Sequence, residues 1–350
     1  MDFAVPDDPT RNWTEPGVYS VAPGVFRIPL PLPTDGLRAV NVYAIADGDD
    51  LVLIDSGWAL DVAKEALESA LAGIDRRVAD VRRFLVTHVH RDHYTQAVVL
   101  RREFGTPILL GENERPTLER IAARVADPGP GEGPMFMTRL RASGAADLMA
   151  RLEALDRPPE TDRHAWEFPD EWVADGATAA VGTRELTAVH TPGHTRGHLV
   201  FAERDTGLLF AGDHVLPHIT PSIGFEGAPA DFPLRDYLDS LRLVRGMPDA
   251  RLLPAHGPVS PSVHARVDEL LEHHDRRLEV VGDLVAKGAS TAAEVAALMT
   301  WTRRERKLAD LDPFNEMLAV LETMSHLDVL MLQDRLIRSD VGGTNYYRVG

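Results

Sequence analysis

The first half of the chain alternates between short apolar runs and stretches with helical periodicity. β-Branched runs bounded by turn residues predict strands at 24–29, 39–45 and 51–55. Between 61 and 74 the apolar residues instead recur every three or four positions, with charged residues opposite, which predicts an amphipathic helix. The same pattern predicts a strand over 83–87, a helix over 94–104 and a strand over 107–110. Strands that alternate with helices predict an α/β fold.

Residues 111–165 break this alternation and are predicted to form a helical insertion. Helical pieces over 115–126 and 137–155 flank a Pro-Gly-Glu-Gly segment within 130–134. In one interpretation, the apolar face of the insertion packs on the main core. In the other, the insertion is a cap over the active site whose Met and Phe side chains face an apolar substrate. The sequence leaves both interpretations open.

The strand pattern returns in the middle of the chain. Apolar runs that end at turn residues predict strands at 186–190, 198–203, 208–211 and 251–255. Because the chain becomes mainly helical beyond about 262, the main α/β domain is predicted to span 1–260, with the insertion inside it.

The last ninety residues are predicted to form a smaller domain over 261–350. Thr291 is placed to cap a helix over 291–300, and a long apolar-periodic stretch covers 313–332. Two short strands then surround a glycine turn, which predicts a terminal hairpin. Helices followed by a hairpin predict a winged-helix-like unit.

The composition limits the functions that the chain can have. The 350 residues carry a formal charge of −17, whereas a nucleic-acid binder or an anionic-membrane binder would need a basic surface. There are no cysteines, so metal ligands would have to be imidazoles and carboxylates. Neither a signal-peptide pattern nor an apolar run long enough to span a membrane is present, which predicts a soluble cytoplasmic protein with no membrane partner.

Four potential metal ligands lie within six residues where a predicted strand ends. They are His88, His90, Asp92 and His93. Histidines at positions i and i+2 of an extended chain project to the same side, so the first two can bind one ion. Asp92 and His93 follow as the chain turns into a helix, which brings a carboxylate and an imidazole next to a second position. Such ligands suit zinc and neighbouring transition metals.

Three later segments repeat this placement of a ligand on a turn at a strand end. His194 follows a Pro-Gly pair, Asp213 ends an apolar strand, and His256 lies in a Pro-Ala-His-Gly turn. Functional residues are often found on such turns, held by a rigid scaffold. Four segments of this kind in one chain predict a shared metal centre.

The series HVHRDH, TPGHTRGH, AGDH and PAHG resembles the metallo-β-lactamase fold superfamily, in its dinuclear hydrolase branch with a glyoxalase-II-like ligand set. The resemblance covers roughly residues 20–260. It implies an αββα sandwich, in which two mixed sheets pack face to face with helices outside. It also implies two trios of ligands that share Asp213 as a bridge. The first trio is His88, His90 and His194, and the second is Asp92, His93 and His256.

The same resemblance implies that Asp55, at the end of a strand, and His198 support the ligands from behind. Tyr94 directly follows the ligand cluster and His218 lies just past Asp213, so both are candidates for substrate contacts. Many family members carry glycines where Tyr94-Thr95-Gln96-Ala97 stands here, which implies a differently shaped pocket beside the metals.

Two divalent metal ions are expected as cofactors, Zn²⁺ first, with Fe or Mn as alternatives. Two such ions about 3.5–4 Å apart can share a bridging hydroxide whose pKa falls to roughly 7. This hydroxide attacks an acyl or phosphoryl centre while the metals stabilise the developing negative charge. Asp92 is the predicted catalytic residue, because it can orient the nucleophile or pass a proton.

The C-terminal unit resembles the winged helix of the β-lactamase-like-2 group, which includes both single-stranded RNA nucleases and acyl thioesterases. A nucleic-acid-binding face should be basic. Residues 262–350 instead contain 11 Lys and Arg against 15 Asp and Glu, a net charge of −4. The basic run at 303–307 is interpreted first as a solvated helix face, with RNA contact or subunit packing in a homodimer as alternatives.

Three classes of function remain open. A hydrolase of small acyl substrates, such as thioesters, esters or lactones, is the favoured prediction. A metal-dependent endoribonuclease acting on single-stranded RNA is second, because the chain is acidic and the insertion is apolar. A non-catalytic binding protein is third, because a site that had lost its function would have lost ligands first.

Overall fold

Two mixed β-sheets form the centre of the computed structural model, which describes residues 4–33, 36–126, 135–155, 165–302 and 304–350. In these ranges the first sheet has eight strands in the order of the chain: β1 (Val5–Pro6), β2 (Tyr19–Ala22), β3 (Val25–Pro31), β4 (Ala39–Asp47), β5 (Asp50–Ile54), β6 (Val81–Val86), β7 (Ile108–Gly111) and β8 (Glu171–Val173). Strands β2 to β5 pair antiparallel and β5 to β8 pair parallel.

The second sheet has the order β13-β12-β11-β10-β9. Its strands are β9 (Thr178–Val181), β10 (Arg184–His190), β11 (Leu199–Glu203), β12 (Leu208–Gly212) and β13 (Arg251–Pro254). Only the β12–β13 pair is parallel. The carboxyl ends of β10, β12 and β13 therefore point the same way, which brings the turns that follow them to one edge of the sheet.

Helices connect and cover the strands. They are α1 (Asp61–Ala72), α2 (Arg91–Phe104), α3 (Arg115–Ala126), α4 (Met135–Ala142), α5 (Ala146–Glu153), α6 (Pro233–Gly246), α7 (Val263–Ala286), α8 (Ala292–Leu298) and α9 (Pro313–Leu332). Two short strand pairs follow α8 and α9. They join β14 (Thr300–Trp301) to β15 (Arg306–Lys307), and β16 (Leu336–Val341) to β17 (Thr344–Val349). None of the helices in the described ranges has the length and apolar character that a membrane span requires.

The layers follow from the alternation of side chains along each strand. Tyr43 and Leu85 of the first sheet share a buried cluster with Leu186 and Phe210 of the second, so the sheets pack face to face. The outer face of the first sheet packs on α1 and α2, and the outer face of the second packs on α6 and α7. The αββα sandwich implied by the resemblance is confirmed.

Local signals set several boundaries. The side chains of Thr291 and Asp312 accept backbone hydrogen bonds at the starts of α8 and α9, as expected for capping residues. Helix α2 begins three residues before its predicted start, because His90 is already the residue that precedes its first turn. Gly144, at a positive φ of 76°, separates α4 from α5 where the sequence predicted one continuous piece.

The insertion packs on the rest of the protein. Leu140 of α4 and Leu148 of α5 share an apolar cluster with Val200 of the second sheet and with Leu327 of α9. This confirms the first interpretation of the insertion, whereas its role as an active-site cap stays a prediction. The segment 130–134 lies outside the described residues.

The C-terminal helices and the predicted terminal hairpin are present. Their apolar residues belong to the same cluster as the outer face of the second sheet, so one core continues across position 260. The division into two domains at this position, and the winged-helix assignment, stay predictions.

Candidate metal centre

The turn after β6 brings the first four candidate ligands together. His88 and His90 lie in the turn between β6 and α2, and Asp92 and His93 lie in the first turn of α2. A carboxylate in the first turn of a helix is favoured by the positive end of the helix dipole. The local sequence therefore presents two imidazoles from the turn and one further ligand pair from the helix.

Two glycines allow the other turns to approach this cluster. Gly193 has a φ of 140°, and a Cβ on it would lie 2.4 Å from Cβ of Tyr237 on α6. Gly212 has a φ of 49°, and a Cβ there would lie 2.7 Å from Nε2 of His198. Each glycine directly precedes a candidate ligand, so the close packing of the glycine fixes the backbone position of that ligand.

The first group of candidate ligands is formed by His88, His90, His194 and Asp213, whose donor atoms all lie within 4.8 Å of one another. Nδ1 of His90 is 2.9 Å from Nε2 of His194. Oδ2 of Asp213 lies 3.3 Å from the same Nε2.

The second group is formed by Asp92, His93 and His256. Nε2 of His256 lies 3.3 Å from Oδ2 of Asp92, and Nε2 of His93 lies 3.6 Å from that oxygen. Asp213 also contacts this group, because its Oδ1 is 3.4 Å from Nε2 of His256 and 3.7 Å from Nε2 of His93. The two oxygens of Asp213 thus face different groups.

The donor atoms fit metal cations. Nε2 of His88, His93 and His256 and Oδ1 of Asp213 are buried, and none of them has a hydrogen-bond partner in the described part of the chain. A buried polar atom without a partner costs about 1–3 kcal/mol, and several such atoms in one place require compensation. Imidazole and carboxylate donors at this spacing are what zinc and similar ions bind.

Hydrogen bonds of Nδ1, on the side of the ring away from the ligand cluster, orient three of the imidazoles. Nδ1 of His194 donates to the carbonyl oxygen of Ser222, and Nδ1 of His256 donates to that of Ala39, both at 2.8 Å. Because a carbonyl can only accept, Nδ1 carries the hydrogen in both rings, so Nε2 is the atom left to bind a metal once the ring is neutral. His93 is held in the same way by Asp55 at 2.8 Å.

Burial and neighbouring charge set the protonation of the ligands. Burial lowers the pKa of His90 to about 3 and that of His194 to about 4, so both rings are neutral at pH 7. Burial alone would also lower the pKa of His93, but the carboxylates of Asp92, Asp55 and Asp213 outweigh it and raise that pKa to about 10. Binding of a cation there would displace a proton.

Asp55 and His198 both contact candidate ligands, Asp55 at the His93 ring and His198 at the backbone of Asp213. Asp55 accepts hydrogen bonds from the backbone nitrogen of Thr87 at 2.7 Å and from its hydroxyl at 3.0 Å, in addition to its contact with His93. Nε2 of His198 accepts from the backbone nitrogen of Asp213 at 3.1 Å. Since that bond requires the hydrogen to be on Nδ1, His198 donates to the hydroxyl of Thr191 at 3.0 Å.

The two residues predicted to contact substrate, Tyr94 and His218, differ in their exposure to solvent. Tyr94 is buried in the core beneath the first sheet, and its hydroxyl donates to the carbonyl oxygen of Glu167 at 2.5 Å, so the prediction that it contacts substrate is wrong. The reason is its place on the face of α2 that packs inward. His218 is exposed beside Gly257, and its contact with substrate stays a prediction.

Several buried polar residues near the centre were not predicted from the sequence. His214 is fully buried next to Asp213, and burial lowers its pKa to about 3. Arg27 and Asn41 are buried in β3 and β4, and Asn41 contacts the turn that carries His256. The signal for the last two was available, because each is a polar residue between apolar neighbours in its strand.

Fold and site together define a metallo-hydrolase. The chain belongs to the metallo-β-lactamase superfamily, whose family model ("Metallo-beta-lactamase superfamily") matches residues 35–256. This range contains all seven candidate ligands.

Comparison with known proteins agrees with this membership. The chain is 25% identical over 343 residues to the "Probable metallo-hydrolase YqjP" of Bacillus subtilis (strain 168), covering 92% of this chain and 96% of that protein. It is 35% identical over 243 residues to the "Beta-lactamase-like protein 2 homolog" of Caenorhabditis elegans, covering 69% and 63%. The structure of the metallo-beta-lactamase family protein TTHA1429 from Thermus thermophilus matches with a TM-score of 0.74 at 25% identity, over 95% of this chain and 100% of that one.

Other relatives are matched over only part of their length. The chain covers 44% of the "Atrochrysone carboxyl ACP thioesterase" of Aspergillus fumigatus (strain ATCC MYA-4609 / CBS 101355 / FGSC A1100 / Af293), at 26% identity over 245 residues, which are 70% of this chain. It covers 58% of the "Lactamase-like protein nscB" of the same fungus.

Proposed function

We propose that this metallo-hydrolase cleaves a small acyl substrate (a thioester, ester or lactone) with two divalent metal ions. The observation that carries the proposal is the position of Asp213. Its Oδ2 lies 3.3 Å from His194 of the first group, and its Oδ1 lies 3.4 Å from His256 of the second. One carboxylate that faces two sets of buried donors is suited to bridge two cations.

The donor set supports Zn²⁺, with Fe or Mn as alternatives, since imidazoles and carboxylates without thiolates suit all three. When bound, a pair of such ions supplies Lewis acidity and lowers the pKa of water from 15.7 to about 7. The seven ligands are proposed to be His88, His90, Asp92, His93, His194, Asp213 and His256.

Asp92 is proposed to accept a proton from, or orient, the attacking water. Burial alone would raise the pKa of Asp92, but His93 and His256 outweigh it and hold that pKa well below its usual range. The group is therefore a carboxylate with lone pairs available. Its side chain keeps 14% of its surface exposed, so solvent reaches it at the mouth of the centre.

The choice of an acyl substrate rests on charge and on one relative. The net charge of −17 disfavours a polyanionic substrate such as RNA. A relative that matches 70% of this chain carries a name that describes a thioesterase of an acyl carrier protein. The complete ligand set counts against a non-catalytic binding protein. The cytoplasmic location and a homodimer stay predictions.

Metal content is the first test. Protein purified without chelator should contain close to two ions per chain, measured by elemental analysis, and Asp213→Ala should lower that content. Asp239→Asn, an exposed change on α6, is the matched control and should keep both ions. Fewer than one ion per chain in the unchanged protein would overturn the site assignment.

A substrate panel is the second test. Acyl-CoA thioesters, lactones, a β-lactam and single-stranded RNA are offered to the same preparation, and hydrolysis of an acyl substrate that Asp92→Ala abolishes is expected. RNA cleavage that is lost in Asp92→Ala, without hydrolysis of any acyl substrate, would make the endoribonuclease the correct function.

A further inference from the structure

Two polar side chains lie deep between the sheets, where their burial requires a reason. Arg27 on β3 and Asn41 on β4 are each only 1% exposed. Both are on the face of the first sheet that contacts the second, because they alternate with residues of the outer cluster such as Ile28 and Val40. Burying a guanidinium or an amide without partners costs several kcal/mol, so the bonds that they make matter.

Every nitrogen of the Arg27 guanidinium has a partner. Nε and Nη2 donate to Oδ1 of Asp7 at 3.0 and 2.6 Å, and Nη1 donates to the carbonyl oxygen of Trp13 at 2.8 Å. Nη1 also donates to Oδ1 of Asn41 at 3.0 Å. Because arginine has donors only, the atom of Asn41 that faces it must be the carbonyl oxygen. Arg27 thus fixes the orientation of the Asn41 amide.

The other end of that amide holds the turn that carries His256. Nδ2 of Asn41 donates to the carbonyl oxygens of Pro254 at 3.0 Å and of Gly257 at 2.9 Å, on either side of His256. The backbone nitrogen of Asn41 donates to the carbonyl oxygen of Ala255 at 2.7 Å. Three of the four carbonyls of the turn are therefore bound to one residue.

The imidazole of His256 makes a further contact with the same strand. Nδ1 of His256 donates to the carbonyl oxygen of Ala39, two residues before Asn41 on the same strand. The position and the rotation of the ring are thus both set from β4. The imidazoles of the first group have other supports, since His194 is bound to Ser222 and His88 contacts Thr87.

We propose that Arg27 and Asn41 are positioning residues that place His256, and through it the second metal group, while leaving the first group unaffected. The inference rests on the proposed function in that it assumes that both groups bind ions. Neither residue contacts the donor atoms, and the network extends outward to Asp7 and Trp13.

The experiment measures the two metal affinities separately. Protein stripped with a chelator is titrated with Zn²⁺ in competition with a chromophoric chelator, which yields two dissociation constants. In Asn41→Leu, which has a similar volume but no polar atoms, the ion of the second group should lose about 10–100-fold in affinity, the usual effect of losing support behind a ligand. The affinity of the first ion should stay within about 3-fold.

Two further variants separate positioning from a general loss of stability. Asn41→Asp keeps the acceptor for Arg27 but has no donor for Pro254 and Gly257, so it should show the same selective loss. Tyr347→Phe removes a buried hydrogen bond to Asp328 in the terminal hairpin, and it should lower the melting temperature while leaving both affinities unchanged.

The outcomes are distinct. An equal loss of affinity for both ions in Asn41→Asp, or no change in either affinity, overturns the positioning role. Two tightly bound ions without any hydrolysis would contradict the proposed function, but the selective loss in the Asn41 variants would still support the inference. Binding of fewer than one ion by the unchanged protein contradicts both.

Discussion

Oδ2 of Asp55 lies 2.8 Å from Nδ1 of His93, on the side of the imidazole that faces away from Asp92 and Asp213. The same carboxylate accepts two hydrogen bonds from Thr87, so one side chain ties the end of β5 to the turn after β6. Asp55 itself has a φ of 61°, a left-handed conformation that aspartate tolerates better than most residues. The orientation of His93 is therefore set by a neighbouring strand.

Replacing this carboxylate should weaken metal binding. Asp55→Asn keeps the shape but has only one acceptor oxygen for His93 and Thr87, and it removes the negative charge behind the ring. We expect a loss of about 10–100-fold in Zn²⁺ affinity, measured by competition with a chelator. Asp50→Asn, at the half-buried start of the same strand, is the control and should bind normally. Unchanged affinity in Asp55→Asn would contradict the supporting role.

Gly193 should not tolerate a side chain. In Gly193→Ala the new Cβ would lie 2.4 Å from Cβ and 2.5 Å from Cα of Tyr237, so a backbone must move. We expect a loss of roughly 2–4 kcal/mol in the free energy of unfolding, measured with denaturant, together with weaker metal binding by His194.

The control for this change is Gly105→Ala. Gly105 also has a positive φ, 75°, but nothing lies within 4 Å of its Cβ position. Gly105→Ala should therefore lower the free energy of unfolding by only about 1 kcal/mol, which is the cost of the left-handed backbone conformation for alanine. If both variants lose the same amount of stability, the contact with Tyr237 is not what restricts Gly193.

The carboxyl group of Glu226 should make stability depend on pH. Burial raises its pKa to about 7, against the opposing effect of its hydrogen bonds with Arg196 and Thr117. In the unfolded chain this carboxyl titrates near 4.3. Between these values the folded state binds more protons than the unfolded state, so the contribution of Glu226 to stability is greatest below about 4.3 and is lost as the pH rises to its folded pKa of about 7.

Glu226→Gln mimics the protonated side chain and should remove this dependence. We expect the free energy of unfolding of the unchanged protein to fall by roughly 1–3 kcal/mol more than that of the variant between pH 5 and 8. Both proteins are measured in chelator, so that titration of the histidine ligands is common to both. Parallel pH profiles would show that Glu226 is ionised throughout.

Tyr94→Phe tests the corrected assignment of this residue. The variant loses the hydrogen bond to the carbonyl oxygen of Glu167 within the core. We expect a loss of about 1 kcal/mol in the free energy of unfolding, with kcat/KM unchanged for whichever substrate is hydrolysed. A raised KM without a change in stability would instead restore Tyr94 as a substrate contact.

The candidate ligands were predictable because a local pattern marks the turn, or the first turn of α2, on which each of them lies. The four ligands from His88 to His93 lie within six residues, so these neighbours in sequence are also neighbours in the site. Asp213 is marked by its position directly after an apolar strand. The limits of α9 were predictable for a related reason, since Asp312 and Pro313 are local start signals.

What could not be predicted depends on contacts between distant residues. Asn41 and Gly257 are 216 positions apart, and no periodicity in either segment indicates that they meet. Tyr94 was assigned to the wrong environment because position after a ligand does not say which way a helical side chain points. Tyr94 points inward because it lies on the face of α2 that packs on the first sheet.

The packing of the insertion on α9 has a consequence for the order in which the protein can fold. Ser143, at the end of α4, contacts Met324 of α9, 181 positions later. At about 5–20 residues per second, a ribosome needs roughly 10–40 s to synthesise that interval. During this time the apolar faces of α4 and α5 have no α9 to cover them. The nascent chain therefore carries these apolar faces uncovered by α9 from before the turns of His194, Asp213 and His256 emerge until its last helix is complete.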